Sequence, residues 1–152
     1  MNIDEYLRQL RKYKLRAEYK LNKYNEAFDK AASPGCALDY GEMAPRMRGN
    51  GNATENRLIK AIDAGKEWKA AWKQYTDFRE QLITDLYGLL YWEGLLLDRV
   101  YIYNLMTESE DDLHGADEIL RTNNRGEILS KLTEAKKHLA DVLRARGVEI
   151  EN

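Results

Sequence analysis

LLLDRVYIYNL (Leu95–Leu105), TESEDDLHGADEIL (Thr107–Leu120), RTNNRG (Arg121–Gly126) and EILSKLTEAKKHLADVLRAR (Glu127–Arg146) together decide how this chain is read. Leu95, Leu96, Val100, Ile102 and Tyr103 make a strongly apolar short helix. Leu113, Ala116 and Leu120 are spaced for the inner face of a second helix of about ten residues. Thr122, Asn123 and Asn124 supply turn and N-cap chemistry, because their short polar side chains bond to nearby backbone amides. A final helix then presents Ile128, Leu132, Ala135, Leu139 and Val142 inward. Short helix, polar turn and longer helix are the outline of a helix-turn-helix unit.

Charge singles out the same stretch. The chain carries 24 Lys and Arg against 26 Asp and Glu, a net charge of -2. From Arg121 to Arg146 the sign reverses, with seven basic residues against Glu127, Glu134 and Asp141. Binding to nucleic acid must therefore come from a local patch and not from bulk charge. The reverse signal lies just upstream, where Thr107-Glu108-Ser109-Glu110-Asp111-Asp112 is an acidic run suited to a solvated turn and a helix start.

Working outward, no Pro or Gly interrupts Ile3 to Ala32. Ile3, Leu7, Leu10, Ala17, Leu21, Tyr24, Phe28 and Ala31 recur at steps of three and four, with Lys14 the polar exception. That heptad seam predicts a coiled-coil helix roughly 45 Å long at 1.5 Å per residue. Tyr6, Tyr13, Leu15 and Tyr19 form a second stripe expected to widen the buried face. Ser33-Pro34-Gly35 stops the helix, and residues 33–52 read as a linker holding both prolines and four of the ten glycines. Leu38, Met43 and Met47 are placed to pack along the helices, and Arg46 and Arg48 to reach a phosphate backbone.

With Asn52 or Thr54 as cap, a second long helix is expected over about 54–91. Its stripe is Leu58, Ala61, Ile62, Gly65, Trp68, Trp72, Tyr75, Phe78, Leu82, Leu86 and Leu89. Gly88 and Gly94 bracket a weak point where it bends or hands over to the terminal unit. The fold expected is all-α: a long antiparallel coiled-coil hairpin over 1–93, a helix-turn-helix head over 94–147 and a tail over 148–152. Leu7, Leu10, Leu21, Phe28, Trp68 and Trp72 are its seam residues, serving either an intramolecular hairpin or a homodimer.

Other function classes find little support. Cys36 alone permits no intrachain disulfide and suits a reducing cytoplasm. MNIDEYLRQLRK has no apolar core, so no signal peptide is expected. Thr84, Asp85 and Glu93 interrupt the most apolar run, Leu82 to Leu97, so no membrane span is expected. His114 and His138 fall on different helices without a Cys or carboxylate at ligand-like spacing, and read as exposed. No nucleophile motif or phosphate cradle is present. The expectation is a non-catalytic protein with no cofactor and no metal.

Tyr6-Leu7-Arg8-Gln9-Leu10 opening the coil, the LLLDRVYI segment and the terminal helices carry a resemblance over nearly the whole chain. The chain resembles the small late-gene transcriptional regulators of phages of Gram-positive bacteria, the RinA/ArpU/LtrC-like group, whose helix-turn-helix is similar to region four of sigma factors. Arg99 with Tyr101 stands for that group's leucine-rich and Arg-Tyr piece, Ala116 to Leu120 for its first helix, Asn123-Asn124 for its turn, and Ile128 through Ala135 and Leu139 for its recognition helix. Departures are Leu113 in place of an aromatic, Ala116-Asp117 in place of an Ile-Ala pair, and a turn one residue longer.

The resemblance implies binding to double-stranded promoter DNA, contact with the host RNA polymerase, and a place in the cytoplasm of a bacterial host cell. The DNA-binding residues are then Arg121, Asn123, Asn124, Arg125, Ser130, Lys131, Lys136 and Lys137. Asn124, Glu127, Ser130, Lys131 and Glu134 would lie toward base edges, with Arg121, Asn123, Arg125, Lys136 and Lys137 toward phosphates. A coiled-coil dimer would pair two such heads on two half-sites. The competing reading is an ordinary solvated helix face on a coiled-coil adaptor, binding polymerase or another phage factor without DNA; a third is an assembly protein that oligomerises through the hairpin. The acidic run at 108–112 favours the adaptor.

Overall fold

The computed structural model describes residues 1–32, 47–104 and 113–151, with the backbone alone for 47–52. The fold is all-α. Helix α1 spans Ile3–Ala32, α2 Met47–Leu86, α3 Tyr91–Leu97, α4 Ala116–Leu120 and α5 Arg125–Ala145. A π-helical turn, Asp98–Tyr103, continues directly from α3. The one extended feature among the described residues is an isolated parallel bridge between Asn2 and Glu151. No helix among them is long and apolar enough to cross a membrane. Cys36, Leu38, Met43, Arg46 and the acidic run at 107–112 lie outside the described residues, as do the side chains of Met47 and Arg48.

The chain divides into two compact units: Met1–Tyr13 with Tyr75–Asn152, and Lys14–Gln74. The expected boundary at 93/94 is thereby corrected. The division falls inside both long helices, because the terminal helices share their core with the two ends of the long pair.

In the first unit, Asn2 caps α1 through Glu5 N–H to Asn2 Oδ1 at 2.8 Å. Glu5 returns a carboxylate to Asn2 N–H at 3.1 Å, which completes a capping box. The core brings together Leu7 and Leu10 of α1, Leu82 and Leu86 of α2, Leu96 and Leu97 of α3, and Leu139 and Leu143 of α5. Tyr6 and Tyr13 both pack on Phe78, with ring centroids 5.1 and 5.3 Å apart. Each fully buried leucine is worth roughly 1.5–3 kcal/mol before chain entropy is counted. All five inward positions expected of the last helix are covered, Val142 only partly.

The break between α2 and α3 falls where Gly88 and Gly94 suggested. Gly94, in the first turns of α3, lets the helix approach the end of α2, since a Cβ there would lie 3.1 Å from the Leu86 carbonyl oxygen. α2 itself ends at Leu86, short of the expected 91, and it starts at Met47 instead of 54. Gly49 and Gly51 therefore lie inside a helix, at the end where their cost of about 1 kcal/mol each is least damaging.

The second unit is an antiparallel pair made from the rest of α1 and α2. Lys20 Nζ meets Glu67 Oε2 at 3.0 Å, and Tyr24 stacks on Trp68 with centroids 5.8 Å apart. Gly65 lets the helices approach, because a Cβ there would lie 3.1 Å from the Tyr24 ring. Burial of the heptad stripe fails in this unit: Phe28, Leu58, Ile62 and Trp72 are about half exposed. Leu15 and Tyr19, expected to widen the buried face, are exposed as well.

Candidate nucleic-acid interface

The α4–turn–α5 segment is built from short-range chemistry. Asn104 Nδ2 donates to the His114 carbonyl at 2.8 Å and fixes the entry to α4. Gly115 follows at φ 86°, a left-handed position that favours glycine, with the Arg99 side chain lying close against it. These terms shorten α4 to five residues, where the spacing predicted about ten. Arg121 ends it at φ 54°, a left-handed position unusual for a residue with a side chain.

Asn124 then caps α5. Its Oδ1 accepts Glu127 N–H at 3.3 Å, and Thr122 Oγ1 bonds to Glu127 Oε2 at 3.0 Å and accepts Asn124 N–H at 3.2 Å. The turn chemistry expected of Thr122 and Asn124 is present. A small cleft of about 260 Å³ opens beside it, lined by Leu113, His114, Asn123, Arg125 and Ile128.

Seven of the eight residues assigned to DNA are exposed: Arg121, Asn123, Asn124, Arg125, Ser130, Lys131 and Lys137. Lys136 is the correction. Its side chain is 19% exposed and its Nζ sits 2.8 Å from Asp4 Oδ1, with Tyr101 also bonded to it. Burial alone would lower the Lys136 pKa, but the bonds from Asp4 and Tyr101 outweigh it and the pKa is raised. Lys136 therefore fastens α5 to α1 and is not offered to phosphate.

The carboxylates on this helix have local partners. Glu127 serves the cap, Glu134 lies 3.8 Å from Lys131, and Asp141 lies 3.0 Å from Arg144. Lys131 Nζ also sits over the Trp92 ring at 5.3 Å, which orients its stem. Of the seam residues, Leu7 and Leu10 are core of the first unit, Leu21 and Trp68 are half-buried, and Phe28 and Trp72 are more open.

Three polar links at the base of α5 escape a reading of helical spacing. The imidazole of His138 bonds to Glu93, which is 1% exposed, so His138 is not the idle surface residue expected. Arg146 Nη2 holds buried Asp85 at 2.9 Å and the Tyr6 hydroxyl at 3.1 Å. Lys136 holds Asp4 and Tyr101. Burial raises the Tyr6 and Tyr101 hydroxyl pKa values.

No known protein family matches this chain, and neither does any curated protein or solved structure.

Proposed function

We propose that this protein is a non-catalytic transcriptional regulator of the phage late-gene kind, contacting promoter DNA with the Arg121–Asn124 turn and the N-terminal half of α5. One observation supports this above others: a turn pinned by its own side chains presents Arg121, Asn123, Arg125, Ser130 and Lys131 together at an exposed helix start. Arg121 and Arg125 reach phosphates, while Ser130 and Lys131 face base edges.

Fluorescence anisotropy with duplex DNA from upstream of the neighbouring late genes, at about 50 and about 200 mM salt, tests the reading. Wild type should bind at low salt with a steep salt dependence. Arg125→Ala should weaken binding and flatten the log–log salt slope by about one. No binding at low salt, or an Arg125→Ala, Lys131→Ala double variant equal to wild type, would overturn it.

A second reading, the protein-binding adaptor, is favoured by a different surface. At the α2–α3 junction Tyr87 and Tyr91 are each 84% exposed beside Leu90, around a pocket of about 380 Å³ that Asp98 edges. Exposed tyrosines around an apolar pocket suit a protein partner such as host RNA polymerase. Purified polymerase retained by wild type but not by a Tyr87→Ala, Tyr91→Ala variant, with DNA binding absent in both, would establish it instead.

A further inference from the structure

The described residues of the Lys14–Gln74 unit bury little of their own apolar surface. Among its described residues the fully buried ones are Ala17, Ala61, Gly65 and Ala71. Its large side chains are spread around an open groove of about 570 Å³ between α1 and α2, lined by Tyr24, Phe28, Leu58, Ile62 and Trp68. Phe28 is 53% exposed, Leu58 49% and Ile62 58%. Trp72, one turn beyond Trp68, is 47% exposed. Two helices cannot enclose a core alone, and the usual solution for such stripes is a four-helix arrangement.

We propose that this groove receives the same groove of a second copy of the chain, so that two antiparallel pairs close into a four-helix bundle about a two-fold axis. A surface that is apolar along both helices is complementary to itself, as an isologous contact requires. Lys66 and Lys69, the charged residues at the groove, fit a rim position where their stems cover apolar surface and their ammonium groups stay in water.

Magnitude decides how tight the contact is. Half of each of Phe28, Leu58, Ile62 and Trp72 amounts to roughly 400 Å² per copy, taking ~200 Å² for a large apolar side chain. Two such faces with the groove walls come to about 1,000 Å², at the lower edge of stable interfaces. The dimer is therefore reversible and concentration-dependent. It does not rest on the DNA reading.

Sedimentation equilibrium of the full chain, from about 1 to about 200 μM, reads this directly. Wild type should show a monomer–dimer equilibrium. Ile62→Glu and Leu58→Lys should each weaken it at least tenfold with unchanged circular dichroism, whereas Ile59→Glu, which lies off the groove lining, should leave it intact. Leu58→Lys decides the matter if Ile62→Glu does not fold. A strictly monomeric wild type, meaning that the groove is covered by the chain itself or by another protein, overturns the proposal. So does a dimer that the groove variants leave as tight as wild type.

Discussion

Where α1 and α2 pass through the first unit, they bury Tyr6, Leu7, Leu10, Tyr75, Leu82, Asp85 and Leu86; where the same helices pass through the second, they bury Ala17, Ala61, Gly65 and Ala71. Helix-forming residues and three–four spacing are common to both stretches. The difference lies in what else is available to cover the stripe. In the first unit α3, α4 and α5 complete a core and lock it with buried ion pairs. In the second, among the described residues, each helix has one neighbour, so only small residues at the contact line are sealed. Periodicity states which side of a helix is apolar, and a third or fourth element decides whether that side is dry.

The largest expected effect breaks this asymmetry at its strong end. Leu139→Ala removes a fully buried side chain from the middle of α5 and should cost about 3–5 kcal/mol in urea unfolding. Leu58→Ala, already half exposed, should cost less than about 1 kcal/mol in dilute solution. Comparable losses at the two sites would mean that the second unit is as well sealed as the first.

Next come the polar links, where the direction of truncation matters. Glu93 and Asp85 are the buried members of their pairs, while His138 and Arg146 reach water. Removing the outer partner leaves a buried acidic side chain without its hydrogen bond, so His138→Ala and Arg146→Ala should each cost about 2–3 kcal/mol. Asp85→Asn keeps a hydrogen-bonding group and leaves Arg146 free to hydrate, and should cost about half as much. Equal costs for Arg146→Ala and Asp85→Asn in thermal melts would refute this ordering.

How far the sequence carried this picture can be seen residue by residue. The inward row of α5 and the cap at Asn124 follow from spacing and side-chain chemistry, which act within one helix turn. The α2–α3 break at Gly88 and Gly94 was legible for the same reason. The links to Glu93 and Asp85 were not, although both stood out as charges inside an apolar run; the partners lie 45 and 61 residues away. Lys136 suits phosphate by its identity, while its position on α5 turns it toward Asp4. The short α4 was hidden as well, since Asn104, ten residues upstream, bonds to the His114 carbonyl at its entry.

A smaller effect concerns pH. The pKa values of Tyr6, Tyr101 and Lys136 are all raised in the first unit, so the folded chain holds these protons more tightly than the unfolded one. Ordinary tyrosine titrates at 10.0 and lysine at 10.5. The stabilisation is complete below those values and is lost as the pH climbs through the raised ones. Melting temperature should therefore fall above about pH 10, and Tyr101→Phe should shallow that fall while leaving neutral-pH stability within about 1 kcal/mol. An unchanged alkaline slope in Tyr101→Phe would remove Tyr101 from the account.

The smallest effect sharpens the comparison inside the first unit, which is not built for stability throughout. Arg121 sits left-handed at the end of α4, where a side chain costs about 1–2 kcal/mol that glycine would not. Glycine also loosens the unfolded chain by up to about 1 kcal/mol, so Arg121→Gly should leave stability unchanged or raise it by less than about 1 kcal/mol. Among the described residues, the side chain's return for that strain is an exposed guanidinium at the turn. If the return is a phosphate contact, Arg121→Gly should weaken DNA binding and reduce its salt slope by about one while the melting temperature holds. A fall in melting temperature would show that Arg121 supports the turn itself, and full DNA affinity would show that the strain serves another purpose.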